Sequence, residues 1–529
     1  LVTYGLSPQL GLEYYSAVYT TRHVVTVKGL KRTTIYYFKL MCSDKAGNVS
    51  LYDKEGKPDT FVSGGFELSG KITEDMTLYA IPGNPWIFTD DTKIQAGVKV
   101  TVEPGAVLKF GKGGRPYNNA SLWVYGSLIA VGTPEKPITF TSIRDDSVDG
   151  DTNGDGDMTR PASGDWGTVS FLASSAGSCI IENAVFKYGG WDGGQECGVV
   201  ESRTPTPTIK NCRFEKNVFP VAFTLGVQPE LSGLQLVSND FNGLWLRPGL
   251  QIKSGILNVT EVPYIFWSPD GRDFILPSNC SLSVAPGVVI KVGSRANLGS
   301  TTSLLLSGTV NISGTADKPV IFTSLKDDSM HGDTNGDGTS TNAQPGDWGR
   351  ISLNNTRASV EHCVIRYAGL DNAREFPAVE CVDSSLDMKY SEISACVHGA
   401  WISRSTAVVA NCTIACNLLD GLVISGNSNT LVKNSVISFN GGVGIRSDTP
   451  NTQVFYSNVY GNSSSDYLGI VPTEGCISVD PLFRDVSLLD FQLLPGSACI
   501  DAGDPNEVDP GTDSRIDMGC WPYNTPTAP

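Results

Sequence analysis

The sequence predicts an all-β chain: a solenoid preceded by a small β-sandwich. Three observations carry that prediction. Short apolar runs of four to six residues recur from about residue 66 to 505, with Gly, Asn, Asp or Pro between them. No amphipathic helical segment of useful length interrupts them, which leaves a sandwich, a barrel or a solenoid. Whole phrases then return 182 residues later, and repetition at coil length selects the solenoid.

Residues 1–62 form the first unit. Leu1–Tyr4, Tyr14–Tyr19, His23–Val27 and Ile35–Met41 alternate with the period of half-buried strands. The solenoid follows over 66–505. Val98–Val102, Val107–Phe110, Leu122–Tyr125, Ile138–Phe140, Val169–Phe171 and Val185–Tyr188 are strands of a first copy, about 80–262. Leu282–Val284, Val288–Val292, Leu304–Leu306, Val320–Phe322, Ile351–Leu353 and Val364–Tyr367 answer in a second, about 263–400, with further rungs after it. At roughly 22–25 residues per rung the segment holds about 16–18 rungs, a rod of roughly 80 Å. Stacking leaves two open ends; the first unit is expected to protect one and residues 480–520 the other. Residues 506–529 are a closing segment and a Pro/Thr tail.

Net charge is −16 over 529 residues, which makes a phosphate backbone an unsuitable partner. No run of 18 apolar residues is present, so no transmembrane segment is expected. Leu1 reads as mid-domain sequence, the start of a mature or truncated product. Eight Asn-x-Ser/Thr sequons occur, among them Asn119, Asn411 and Asn462; chance in a Ser/Thr/Asn-rich surface explains them as well as glycosylation does.

The thirteen cysteines include Cys179, Cys197 and Cys212, separated by 18 and 15, and Cys363, Cys381 and Cys396 at the same intervals. Such spacing would stack thiols in a column as small apolar core residues. Disulfides and a metal site are the alternatives, although a rung spacing of about 4.8 Å with parallel Cβ vectors suits an S–S bond poorly.

The chemistry concentrates in two acidic loops. Arg144-Asp-Asp-Ser-Val-Asp-Gly-Asp-Thr-Asn-Gly-Asp-Gly-Asp157 closes with Gly-Asp165-Trp-Gly, and Lys326-Asp-Asp-Ser-Met-His-Gly-Asp-Thr-Asn-Gly-Asp-Gly338 closes with Gly-Asp347-Trp-Gly. Alternating oxygen side chains with glycines between them suit a hard cation, above all calcium. Asp149, Asp151, Asn153, Asp155 and Asp157 match the front half of an EF-hand loop, with Gly154 at the turn, but no helices flank it and Arg160 replaces the closing Glu. Asp145, Asp146 and Asp165 are candidates for the missing ligand, as are their counterparts Asp327, Asp328 and Asp347. The shared positions are Asp151, Asn153 and Asp155, matched by Asp333, Asn335 and Asp337. His331 and Thr339 replace Asp149 and Asp157, so the second site is expected to bind more weakly. A solvated acidic loop held by Asn-Gly and Asp-Gly turns is the alternative. Unneutralised carboxylates at this density repel one another, which favours a bound ion with a structural role.

Two resemblances sharpen these expectations. Val27-Lys-Gly-Leu-Lys-Arg-Thr-Thr-Ile-Tyr-Tyr-Phe38 resembles the second half of a fibronectin type III domain, with Tyr36 as the tyrosine corner reaching back toward Leu30. Its first two strands are missing, so either the sequence starts inside the domain or another chain adds the strands. Val102-Glu-Pro-Gly-Ala-Val-Leu-Lys-Phe110 and Val284-Ala-Pro-Gly-Val-Val-Ile-Lys-Val292 resemble right-handed parallel β-helix proteins of the pectate-lyase-like class found on microbial surfaces. So do Asn411-Cys-Thr-Ile414, Asn434-Ser-Val-Ile437 and the closing Leu494-Pro-Gly-Ser-Ala-Cys-Ile-Asp-Ala-Gly-Asp504.

That class includes polysaccharide lyases and glycosidases, but fold alone does not license activity. No G-x-S-x-G or H-E-x-x-H occurs, His362 and His398 sit within rungs, and Lys291, Arg366 and Arg404 are the basic residues open to a lyase role. No catalytic residue and no organic cofactor is nominated. The expected role is an extracellular, calcium-stabilised structural or adhesive rod at a cell surface, in a matrix or in a filament, with copies of itself or polysaccharide as partners. The competing reading is a polysaccharide lyase, a glycoside hydrolase or a glycan-binding module, for which Trp86, Trp123, Trp191, Trp245, Trp267 and Trp401 are the aromatic pool.

Overall fold

The structure, a computed structural model, describes residues 1–15, 27, 34–63, 67–111, 119–172, 178–205, 207–248, 253–269, 271–294, 301–371, 373–509 and 513–523. Most of the strands expected at His23–Val27 and Tyr14–Tyr19, and the Leu30 partner of Tyr36, lie outside the described residues, as does the 524–529 tail.

In the N-terminal unit one antiparallel sheet orders Leu12–Tyr14, Val2–Gly5, Thr34–Ser43 and Val49–Tyr52, with Asp59–Ser63 also pairing Thr34–Ser43. Alternate residues of the long central strand share a face, so Tyr36 and Phe38 meet Tyr4 and Phe61 across it. Tyr36 is buried.

From residue 67 the strands pair in parallel, rung upon rung, making a parallel β-helix with three faces. In the first module one face stacks Val107–Phe110, Ile138–Ser142, Ala184–Lys187, Arg213–Glu215 and Gln235–Val237. A second stacks Leu122–Val124, Val169–Phe171, Gly198–Ser202, Phe219–Phe223 and Leu244–Leu246. The third runs from Met76–Leu78 to Glu230–Ser232. Trp86–Ile94 turns the corner and pairs with both of the first two faces. The second module repeats the plan over eight rungs. At the junction Leu244–Leu246, from the second face of one module, pairs with Tyr264–Ser268, which opens the first face of the next. Among the described residues the only helical turn is Val486–Leu488, and no helix is long and apolar enough to cross a membrane.

Period-2 strands send alternate side chains inward, and parallel register stacks like on like. Phe88, Phe110, Phe140, Phe186 and Phe214 form such a column, with ring centroids of 4.5 Å between the first two and 4.4 Å between Phe140 and Phe186. In the second module Phe322 is followed by the aliphatics Ile365, Ile393, Ile414, Ile437 and Val459 in the same column. The corner before seven of these strands is turned by a left-handed residue: Asn183, Asn211, His362, Tyr390, Asn411, Asn434 and Tyr456.

Three expectations are corrected. Among the described residues the solenoid has six rungs on its third face in the first module and eight in the second, fewer than the length implied, because each acidic loop consumes about a rung of sequence outside the stack. The cysteines carry free thiols, nine of them buried, but the matched intervals do not make one column. Cys179 pairs with Pro207 on the third face, whereas Cys363 and Cys381 lie on two other faces. The true column is the small residue after each left-handed corner, where Cys363, Ser391, Cys412, Ser435 and Ser457 follow one another, each N–H donating to the next serine hydroxyl at 3.1–3.2 Å where that residue is serine.

The third correction concerns residues 480–520, which are not an end cap. They fold back along the outside of the first face as a strap. Gly519 bonds Asn434, Cys520 bonds Thr413, Trp521 bonds Glu392, and Leu489 O accepts from Arg366. The end itself is closed by 473–477, whose backbone pairs with Val454, Tyr456 and Val459.

Candidate metal centres

Each acidic loop leaves the first face after an equivalent strand, Ile138–Ser142 or Val320–Ser324. Its two feet are fastened by carboxylates. Asp145 accepts from Thr141 Oγ1 (2.6 Å) and Ser147 Oγ (2.5 Å), and Asp327 does the same with Thr323 and Ser329. Asp165 accepts from Ser142 Oγ (2.8 Å) and Arg144 Nη1 (2.8 Å); Asp347 accepts from Ser324 Oγ (2.7 Å) and Lys326 Nζ (2.7 Å). These four acids have full duties as fasteners. Trp166 and Trp348 then plug the coil beneath the loops. Both are fully buried, and their indole N–H groups donate to Lys187 O (2.6 Å) and Arg366 O (2.8 Å).

The loop tips bring three carboxylates together twice. Oxygens of Asp146, Asp151 and Asp155 lie within 4.8 Å of one another, and so do those of Asp328, Asp333 and Asp337. Glycines allow the tight turns that place them. Asp151 accepts from the N–H groups of Gly154 (2.8 Å) and Gly156 (2.9 Å), and Asp333 accepts from Asp337 (3.2 Å) and Gly338 (2.9 Å). Asn153 and Asn335 turn their Nδ2 toward Asp155 Oδ2 (2.9 Å) and Asp337 Oδ2 (2.7 Å). Asp149 lies outside the first group, with Oδ1 accepting the Gly83 N–H at 3.1 Å; its counterpart His331 is exposed. Asp157 is exposed and also outside the group.

Five oxygens in these tips are buried with no hydrogen-bond partner: Oδ1 of Asp146, Asp155, Asp328, Asn335 and Asp337. Buried polar atoms are nearly always satisfied. Burial and then the neighbouring Asp151 charge push Asp146 above the usual carboxylate range, and burial and Asp333 do the same to Asp328. Hard, converging, unpaired oxygens of this kind fit a calcium-sized cation, which would be held by the three carboxylates and the Asn Oδ1 of each loop.

Two lysines were missed as members of this site. Lys109 is fully buried and donates to Asp145 O (2.9 Å), Gly150 O (2.7 Å) and Thr152 Oγ1 (2.7 Å). Lys291 is equally buried and donates to Asp327 O (2.8 Å) and Gly332 O (2.9 Å). Burial lowers both, Lys291 to about 8. Each acts as a post from which the loop backbone hangs. The signal was in the repeated phrases Val-Leu-Lys-Phe and Val-Ile-Lys-Val, where a Lys recurs at one offset.

The other basic candidates are also engaged. Arg366 is paired with buried Glu392 at 2.8 Å beneath the strap, and Arg404 is paired with Asp383 at 2.8 Å on the surface. His362 stacks on Tyr390, and His398 Nδ1 accepts the Asp420 N–H at 3.2 Å. Of the tryptophans, Trp86, Trp245 and Trp267 are buried, and Trp123, Trp191 and Trp401 are half-buried. An open polar trough of about 500 Å³ lies on the second module, lined by Asp383, Arg404, Thr406, Asn427 and Asn429 among others.

No protein-family model matches the chain, and no curated protein matches it in sequence. Among solved structures it is similar to pectate lyase Pel9A, at 11% identity over 82% of this chain and 89% of that one, with a TM-score of 0.26. It is also similar to the periplasmic alginate epimerase AlgG, at 11% identity over 75% of this chain and 69% of that one, with a TM-score of 0.22. Scores of this size carry no argument about residues or activity. The parallel strand register described above establishes the β-helix.

Proposed function

We propose that this protein is an extracellular, calcium-stapled parallel β-helix that presents a rigid surface to polysaccharide. The observation that carries the metal half is the set of buried, unpaired oxygens converging at each loop tip. Calcium in the extracellular range would neutralise three carboxylates per loop and fix an insertion of more than twenty residues against the stack. The ions are structural in this reading, because the loops hang from buried lysines and are plugged by buried tryptophans.

The polysaccharide half is supported by the open trough around Arg404, whose hydroxyl, amide and guanidinium groups suit sugar hydroxyls and carboxylates. The basic residues considered for lyase chemistry hold a loop, a strap and a surface carboxylate, so binding is the better-supported role. Two measurements test this. Calcium should raise the thermal midpoint and a chelator should lower it. Acidic and neutral polysaccharides should be screened for retention of the protein and for unsaturated products. Retention without products supports the reading; unsaturated products would replace it with a lyase.

A further inference from the structure

Asparagine ladders run along a turn of both modules; each backbone N–H and one Nδ2 hydrogen point to the next Asn Oδ1, and the other Nδ2 hydrogen points back to a carbonyl of the preceding rung. In the first, Asn217 Oδ1 accepts the Gly189 N–H at 2.9 Å. Asn239 Oδ1 accepts the backbone N–H (2.9 Å) and Nδ2 (3.0 Å) of Asn217. Asn242 Oδ1 in turn accepts the backbone N–H (3.1 Å) and Nδ2 (3.0 Å) of Asn239. Such a ladder finishes on donors with no acceptor inside it, so something else must take them. In the second module the last member is Asn462, and Asp466 Oδ1 takes its backbone N–H (3.2 Å) and Nδ2 (3.0 Å).

In the first module the acceptors come from the other module. Asn242 gives its backbone N–H to Thr334 O at 2.7 Å and its Nδ2 to Asp333 O at 3.1 Å. Asp333 is one of the three carboxylates of the second loop. The contact is tight: Gly336 has φ +68°, and a Cβ there would lie 2.8 Å from Asp240 O. Thr334 is fully buried, whereas its counterpart Thr152 is only half-buried. The described contacts of the first loop stay in its own module, at Gly83, Lys109 and Asp240.

We propose that an ion in the second loop locks the two modules together through Asn242, while an ion in the first loop acts within its module alone. The proposal rests on the calcium reading above. An ion that fixes the Asp333 carboxylate also fixes the carbonyls beside it on which the ladder ends. Conversely, docking on Asn242 preorganises the loop before the ion arrives, and the coupling must run both ways. The second site therefore binds the tighter ion, although each loop tip has three carboxylates and the expectation from sequence is the reverse.

The test uses the full chain, with calcium or a chelator. Hydrogen exchange of the wild type should slow on calcium addition at 242–246, where the Asn242 amide donates to Thr334 O, as well as in both loops. Calorimetric titration should show two sites, and Asn242→Ala should weaken the tighter one by about tenfold and leave the other unchanged. Two ions bound with exchange at 242–246 unaltered would overturn the clasp, as would an Asn242→Ala variant with both affinities intact. Absence of any calcium binding would sink the metal reading itself and the clasp with it. The wild-type exchange comparison stands alone should the variant fail to fold.

Discussion

The two acidic loops share a phrase almost letter for letter, yet they lean on different things. The first hangs from Lys109 and reaches Gly83 and Asp240. The second hangs from Lys291 and terminates the hydrogen-bond ladder of the preceding module at Asn242. The modules differ in the same sense. A strap crosses the outer face of the second, built on Phe483, Phe491, Leu493 and Met518. Duplication copied the loop; its neighbours decide what an ion there would hold.

The largest expected effect comes from the plugs. Trp348→Ala should cost about 3–5 kcal/mol through the cavity and the orphaned Arg366 carbonyl, read as a lower denaturant midpoint. Trp166→Ala should cost a similar amount. If the loops differ as described, only Trp348→Ala also raises hydrogen exchange at 242–246, beginning with the Asn242 amide that donates to Thr334 O. Equal effects of both variants on that segment would erase the distinction between the loops.

A smaller effect separates the modules by pH. Asp509 is 6% exposed, and burial followed by the Asp517 charge raises it from 3.8 to about 6. A carboxyl raised on folding binds its proton more tightly in the folded state. Its contribution to strap stability is therefore whole below about pH 4 and is lost as pH rises to about 6, by about 2–3 kcal/mol at most. Proteolysis within 480–523 should accelerate over that window while the first module stays resistant. Asp509→Asn should flatten the profile; a profile unchanged in that variant contradicts the assignment. Least of all should come from Arg404→Ala. Its partner Asp383 is surface-exposed, so the thermal midpoint should stay within error while retention on polysaccharide falls.

Much of this was legible from residues alone. Short runs with period 2 and a 182-residue echo specify parallel rungs, because each rung must pair its edges with the next. The loops were legible because oxygen residues and glycines alternate. Which acids meet was not. Asp145 and Asp165 look like ligands, but Thr141, Ser142 and Arg144 precede them and capture their oxygens. Lys291 reads only as a basic residue open to a lyase role and Lys109 has no role, since nothing local says that a loop folds back over them. Asn242 belongs to one module and serves the other, a contact that sequence spacing cannot express. The strap was mistaken for an end cap because both need apolar residues.

The central claim is that the two loops hold divalent ions, and calcium titration of the intact chain by isothermal calorimetry tests it most directly. Two ions should bind to the wild type, and one each to Asp151→Asn and Asp333→Asn. A wild type that takes up no calcium, or two ions retained with undiminished affinity in both variants, would contradict it.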